Sequence, residues 1–413
     1  MQSKYLIIGS SHAALEAATA IRLIDPDGAL TLVTRDARLP YSPTILPYVV
    51  SGRSQPDAVT LRDAEYFRAN ALAFVPDATV VKVDPAQMSV RLASGELWQY
   101  ERLLIATGAA PALPPIEGLR DTAFHVLRSM ADAVKLRDAI GAAKSALVLG
   151  AGLIGMHAVE NMRKAGVAVT VVELQAHALS GYFEPEASAI IEGVFANNGV
   201  RMLMGQTIQR VARDGDGCIA TLLSGETLAA DLLLVCAGVK PNIDFLDGSG
   251  IEVDHGILVG DAMRSSVPNV WAAGDVAQAR GFYGGKVING ILPSAVEQGR
   301  IAGLAMAGDP QAQAYAGAVP LNTYHFFGQQ AISVGDAAEA DGVEIEQTIG
   351  ERAYRRIALK DGNLVGIATI NDFVDAGIME QLIRRRTDLT AVKSQFVADP
   401  KTTGRRLMSQ FWR

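Results

Sequence analysis

The chain has 413 residues, enough for two or three domains, and its 49% apolar content can bury a core in each. A formal net charge of -7 disfavours nucleic-acid binding, which needs a basic surface. Two cysteines, Cys218 and Cys236, are too few for an iron–sulfur cluster or a secreted disulfide framework. The six histidines (His12, His125, His157, His177, His255 and His325) show no zinc-site spacing, so no metal site is expected.

The chain runs from Met1 almost directly into an apolar strand, Tyr5-Leu6-Ile7-Ile8, with no basic leader or cleavage site before it. No apolar run approaches the roughly 20 residues that span a bilayer. The expectation is a cytoplasmic protein.

The stretch Tyr5 to Ile24 reads as strand, small-residue turn and amphipathic helix, followed by a second strand, Ala29–Val33. Its turn is Gly9-Ser10-Ser11-His12-Ala13-Ala14, a degenerate dinucleotide fingerprint with Ser11 at the second glycine position and Ala14 at the third. Serine is small enough to keep the backbone near a phosphate. The next strand leads to Asp36, the candidate ribose acid. Leu39 to Tyr48 contains three prolines and no thiol. Leu103-Leu104-Ile105-Ala106-Thr107-Gly108 is an apolar strand ending in small polar residues. Ala109 to Pro115 is extended and marks a crossover.

The fullest motif is Gly150-Ala151-Gly152-Leu153-Ile154-Gly155, between the strand Ala146–Leu149 and a helix. The first glycine permits the tight turn, the second lets the backbone approach a pyrophosphate, and the third lets helix and strand pack closely. Free amides at the helix start favour the anion. The following strand ends in Glu173, whose carboxylate suits ribose hydroxyls and repels a 2′-phosphate, favouring NAD(H) over NADP(H). Cys218 and Cys236 lie in apolar strand-like runs and read as buried, inert thiols. Lys240-Pro241-Asn242 is a second crossover. Asn269 to Asp275 is another strand, ending in Gly274-Asp275, where a carboxylate can bind a ribityl or ribose hydroxyl. From about Val319 the pattern changes to short strands, Ala331–Val334, Ala353–Leu359 and Leu364–Ile370, with a hairpin at Asp361-Gly362-Asn363 and a helix from Ala376 to about Arg386.

The order of these segments (Gly9 turn, Ala106-Thr107-Gly108, Gly150 turn, Ala237 to Asn242, Ala273-Gly274-Asp275) resembles the pyridine nucleotide–disulfide oxidoreductase family over essentially the whole chain. The resemblance implies an α/β fold with two Rossmann-like dinucleotide domains and a small α+β C-terminal domain. FAD would occupy 1–112 and 243–317, NAD 113–242, and an interface domain 318–413. It also implies an FAD-dependent NADH oxidoreductase. FAD would be held by Gly9, Ser10, Ser11, His12, Ala13, Ala14, Asp36, Tyr41, Ser42, Pro43, Ala106, Thr107, Gly108, Gly274, Asp275, Ala295 and Val296. Ala295 to Gly299 resembles the family helix whose N-terminal amides face the flavin. NAD would be held by Gly150, Gly152, Leu153, Ile154, Gly155, Glu173, Ala237 and Gly238.

The chain lacks the CxxxxC pair of the disulfide branch, and Val392 to Arg413 has no histidine, which disfavours disulfide and peroxide chemistry. Tyr41 to Pro47 resembles the rubredoxin-reductase and nitrite-reductase-like branch, although Pro43 stands where that branch often has a basic residue. Many relatives place glutamate two residues after the third glycine, near the nicotinamide. Here that residue is His157, with Glu160 a turn further on; either side chain is a nicotinamide-pocket candidate or a plain helix residue.

The finer likeness is to flavin subunits of multisubunit anaerobic oxidoreductases acting on aldehydes or 2-oxoacids. Three readings follow. One is a subunit passing hydride between NAD(H) and FAD and single electrons to an iron–sulfur partner. Another is a free-standing NADH:rubredoxin or ferredoxin reductase, and the third a flavoprotein with an assembly role. From Arg384 to Arg413 eight basic residues face two acidic ones, and with Phe396, Phe411 and Trp412 this tail is either a dock for an acidic partner or a solvated face. Tyr324-His325-Phe326-Phe327 lies beside the flavin or in the core.

Overall fold

The computed structural model describes residues 2–410. Contact density divides them into two compact units. The first unit comprises 1–45, 54–110 and 239–318, and the second 46–53, 111–238 and 319–413.

The first unit is built on a parallel sheet ordered Leu72–Val75, Leu30–Val33, Gln2–Ile8 and Leu97–Ile105, which Val270–Ala272 joins beside the last strand. Leu30–Val33 is buried at every position, as expected of a strand covered on both faces. Val80–Asp84 and Ser89–Leu92 extend the sheet as an antiparallel meander. The helix His12–Ile24 packs on Leu292–Ala307 through small residues. A Cβ at Gly299 would overlap the carbonyl oxygen of Ala13, and one at Gly303 that of Ala17, so the two backbones touch only because glycine stands there.

The second unit repeats the strand–helix–strand plan. Its parallel sheet runs Val200–Met204, Ala168–Glu173, Ser145–Leu149, Leu232–Val235. A three-stranded antiparallel sheet, Ile208–Asp214, Gly217–Leu222 and Thr227–Ala230, packs into its core through Ile208, Val211 and Leu222. Met130–Ala142 begins at a reciprocal cap between Ser129 and Asp132.

The C-terminal sheet has five antiparallel strands, ordered Leu321–Phe326, Gln329–Gly335, Asn363–Ile370, Tyr354–Lys360, Val343–Ile349. Asp361 and Gly362 both have positive φ, the mirror-image turn that suits a two-residue hairpin. The helix Ala376–Arg384 follows. This sheet shares its unit with the second Rossmann-like fold through specific contacts. Phe195 stacks on Phe326 and meets the edge of Phe327. Glu184, which precedes the helix Pro185–Asn197, accepts from the Tyr354 hydroxyl at 3.1 Å and pairs with the buried Arg356 guanidinium at 3.5 Å. The short helix Leu46–Val50 belongs to the same unit, where the Asn161 amide donates to the Pro47 carbonyl at 2.8 Å. Among the described residues no helix is long and apolar enough to cross a membrane.

Candidate functional site

The glycine turn of the second unit divides three tasks among three glycines. Gly150 has φ +107°, and a Cβ there would overlap the Cys236 carbonyl oxygen. Gly155 lies so close to Gly150 that a Cβ would overlap the Gly150 carbonyl oxygen. Gly152 differs. Its backbone angles suit any residue, and a Cβ built on it meets nothing within 4 Å. Gly152 is also the N-cap of the helix Leu153–Lys164, and no side chain caps that helix. Helix geometry leaves the amides of Leu153, Ile154 and Gly155 without intrahelical acceptors. An open glycine above uncapped amides is a cradle for a phosphate chain, so the residues present fit a dinucleotide.

Glu173 ends the neighbouring strand and turns back onto this loop. One carboxylate oxygen accepts the Ala151 amide at 2.6 Å and the other accepts the Gln175 amide at 2.8 Å. The acid therefore orders the loop. Ala237 and Gly238 follow the strand Leu232–Val235, and Gly238 has φ +101°. Between strand and turn, burial pushes the Cys236 thiol up to about 12. Burial also raises Cys218. Both shifts disfavour the thiolate near neutrality, and with it nucleophilic or disulfide-exchange chemistry.

In the first unit a Cβ at Gly9, with φ +125°, would overlap the Ala106 carbonyl oxygen. Ser10 donates to the Thr34 hydroxyl at 3.2 Å. Ser11 is the N-cap of its helix, yet its side chain caps no amide. His12 opens the helix, with Nε2 at 2.9 Å from the Ser42 hydroxyl, which lies 2.8 Å from that of Thr44. Burial lowers the His12 imidazole below its ordinary range, with Arg62 acting the same way and Glu16 opposing. Asp36 accepts from the Tyr41 hydroxyl at 2.7 Å and the Arg38 amide at 3.0 Å. Pro43 begins a single 3-10 turn. Thr107 and Asn242 clasp each other: the Thr107 hydroxyl donates to the Asn242 carbonyl, and the Asn242 amide returns to that of Thr107. Gly108 leaves this clasp with φ +62°.

Ala13, Gly274 and Ala295 meet. A Cβ on Gly274 would lie 3.3 Å from that of Ala13 and 3.8 Å from that of Ala295. Asp275 follows Gly274 in the turn after the strand Val270–Ala272. The helix that contains Ala295 to Gly299 begins at Leu292, three residues before Ala295. The Ala295 amide already donates to the Ile291 carbonyl at 3.1 Å, so the first-turn donors come from Leu292 and Ser294. Pro293, at the start of that helix, was the local signal. Sequence reasoning also gave no role to Gln298. Its side chain accepts the Gly274 amide at 2.8 Å and donates to Ser294, whose hydroxyl lies 2.8 Å from that of Tyr315. Two polar residues four apart on a buried, small-residue helix face were the available clue.

Glu160 is buried, and one of its oxygens accepts both Lys164 at 2.6 Å and the Phe327 amide at 2.8 Å. That commits it to fastening the turn before Gln329. His157 meets the edge of Tyr324, ring centres 4.7 Å apart. Tyr324 and Phe326 are buried and stacked on each other in the second unit. In the basic C-terminal segment Lys393 pairs with Glu344, Arg405 with Asp375 at 3.6 Å, and Phe396 is buried. Phe411 and Trp412 lie outside the described residues.

The sequence profile of the family described as pyridine nucleotide-disulphide oxidoreductase matches residues 3–299, and that of the rubredoxin NAD+ reductase C-terminal domain matches 320–387. The chain is 53% identical over 415 residues to the NADH-dependent phenylglyoxylate dehydrogenase subunit epsilon of Aromatoleum evansii, covering 100% of this chain and 98% of that one. A ferredoxin reductase structure from Rhodopseudomonas palustris superposes with a TM-score of 0.81 at 27% identity, covering 89% of this chain and 91% of its own. The covalent putidaredoxin reductase–putidaredoxin complex gives 0.85 at 23% identity over 97% and 99%, a likeness of fold.

Proposed function

Since this chain belongs to the pyridine nucleotide-disulphide oxidoreductase family and is an FAD-dependent NAD(H) oxidoreductase, we propose that it serves as the electron-transfer subunit of a larger anaerobic oxidoreductase. The observation that carries this reading is the full-length likeness to a dehydrogenase subunit. It favours a complex that oxidises a 2-oxoacid over one that oxidises an aldehyde. Electrons from the substrate would arrive one at a time from an iron–sulfur partner and leave as NADH, in the cytoplasm.

FAD, when bound, supplies the exchange between two-electron and one-electron chemistry. The protein supplies position and electrostatics. We assign NAD(H) to the second unit. Gly152 admits the pyrophosphate, the amides of Leu153, Ile154 and Gly155 neutralise it, and Glu173 orders the loop and takes the ribose hydroxyls. Ile154, Ala237 and Gly238 line the turn. FAD belongs to the first unit, with its phosphates at Gly9 to Ala14, its ribose at Asp36 and its ribityl chain at Asp275. Tyr41, Ser42, Pro43, Ala106, Thr107, Gly108 and Gly274 form the walls. At the helix start Leu292 and Ser294 take the place of Ala295 and Val296 as donors. Neither thiol offers a second redox centre among the described residues, which supports passage of electrons to another protein.

A second reading, a free-standing rubredoxin or ferredoxin reductase, draws on the match at 320–387. Anaerobic stopped-flow reduction by NADH, followed by iron–sulfur acceptors or disulfides, tests the proposal. Rapid bleaching of the flavin with reoxidation by the iron–sulfur protein alone is expected; reoxidation by a disulfide refutes it. Co-purification with partner subunits separates the first reading from the second.

A further inference from the structure

We propose that the helix Pro185–Asn197 and the loop before it form a brace through which the C-terminal sheet sets nucleotide affinity, with Arg356 as a remote positioning residue. The inference rests on the assignment of NAD(H) to the second unit, and every contact it uses lies within that unit. The brace starts at the glycine turn. The Leu179 amide donates to the Ala151 carbonyl at 3.0 Å, while the Ala151 amide is held by Glu173 at 2.6 Å. The peptide joining Ala151 to Gly152 is trans, so fixing that carbonyl aims the Gly152 N–H the opposite way, away from Leu179. This bond thus sets the direction of the amide that opens the phosphate cradle. Leu179 makes it at φ +55°, a left-handed conformation that leucine rarely adopts. Such a conformation persists only where its surroundings over-determine it.

Those surroundings belong to the helix. The Ala178 amide donates to Glu192 at 2.7 Å, and the Ala178 carbonyl accepts from the buried Ser188 hydroxyl at 2.7 Å. The amides of Tyr182 and Phe183 return to the Leu179 carbonyl at 2.8 and 3.1 Å. The helix is in turn fastened to the C-terminal sheet at both ends. Glu184, at the N-cap, gives its own helix no side-chain hydrogen bond. Its carboxylate takes the Tyr354 hydroxyl and the Arg356 guanidinium instead. Arg356 is buried and held in place by the Ala337 carbonyl at 2.8 Å and the Gln347 side chain at 2.5 Å. Toward the other end Phe195 packs on Phe326 and Phe327. The aromatic contact is non-directional, whereas a buried ion pair adds little net stability and fixes orientation. Two states of the loop follow. In the braced state Leu179 is left-handed and the Ala151–Gly152 peptide is held; in the relaxed state Leu179 returns to ordinary backbone angles and that peptide turns freely. A pyrophosphate favours the braced state, because only there is the Gly152 amide already aimed. Anchoring the helix on the sheet raises the braced population and with it the apparent affinity.

The test is calorimetric binding of ADP-ribose to the oxidised holoenzyme, beside hydrogen exchange at the Leu179 amide. Arg356→Met should weaken ADP-ribose by about fivefold or more and speed exchange at Leu179. Tyr354→Phe, which removes one hydroxyl from the same anchor, should weaken it about threefold. Lys393→Met breaks the pair with Glu344 elsewhere on the same sheet and should alter neither readout, although it too lowers the stability of the sheet. Should Arg356→Met fail to fold, Tyr354→Phe decides alone. A folded anchor variant that binds within about 1.5-fold of wild type, or an equal loss in Lys393→Met, overturns the brace and leaves the nucleotide assignment standing. Failure of ADP-ribose to bind the wild-type protein overturns both.

Discussion

Replacing Gly152 with alanine should separate folding from nucleotide binding. The residue has φ -77° and ψ 176°, an extended conformation open to any side chain, and its built Cβ meets nothing within 4 Å. Two small terms act on stability. Alanine reduces unfolded-chain entropy, a gain of ~0.4–1 kcal/mol. It is also a poorer N-cap than glycine, a loss of about the same size. The net change should therefore lie within about 1 kcal/mol of zero. The added methyl, however, occupies the space through which the pyrophosphate reaches the amides of Leu153, Ile154 and Gly155. Losing even one charge-assisted hydrogen bond costs ~1.5–3 kcal/mol, or about 10- to 150-fold in the NADH dissociation constant. Gly150→Ala is the contrast, because positive φ and overlap with the Cys236 carbonyl act on the fold itself. The assay is nucleotide titration beside thermal unfolding, with the flavin absorbance as an internal control. Gly152→Ala binding nucleotide within about twofold of wild type would refute the cradle, as would a melting loss matching that of Gly150→Ala.

Two further substitutions probe the framework. Glu160→Gln retains an oxygen for the Phe327 amide and loses only the pair with the exposed Lys164, at ~0–1 kcal/mol, whereas Glu160→Leu strands that amide, at ~1–3 kcal/mol. Hydrogen exchange at Phe327 should accelerate about 5- to 150-fold in the leucine variant alone; equal effects would place the role in the charge. In the first unit, Asp25 accepts Lys4, Tyr5 and the Gly28 amide, and the Lys4 hydrogen bond foremost holds its carboxyl down to about 2. Since its folded pKa lies below the unfolded value of about 3.9, its contribution is present above that pH and is lost as pH falls toward 2. Asp25→Asn should thus be less stable than wild type at pH 7, with the gap closing between about pH 4 and 2 in urea unfolding. A constant gap would refute the pairing.

Local chemistry made much of this protein legible in the sequence. A strand, a glycine turn and a helix are specified within about twenty residues, because positive φ and strand and helix periodicity are properties of neighbouring residues. Both Rossmann-like turns, the strand before Gly274 and the Asp361-Gly362 hairpin were readable for that reason. Which atoms those residues face depends on segments far away in the chain. Only the tertiary structure distinguishes Gly150 and Gly155, pressed against backbone, from Gly152, open above the helix. It likewise commits Glu160 to a turn more than 160 residues later while leaving His157 on the accessible face. It hangs the Gly274 amide on Gln298 and groups the helix Leu46–Val50 with the second unit. Each of these is a long-range hydrogen bond or close approach whose partner no local pattern names, so the sequence determined the elements and packing decided which of their residues are left for ligands.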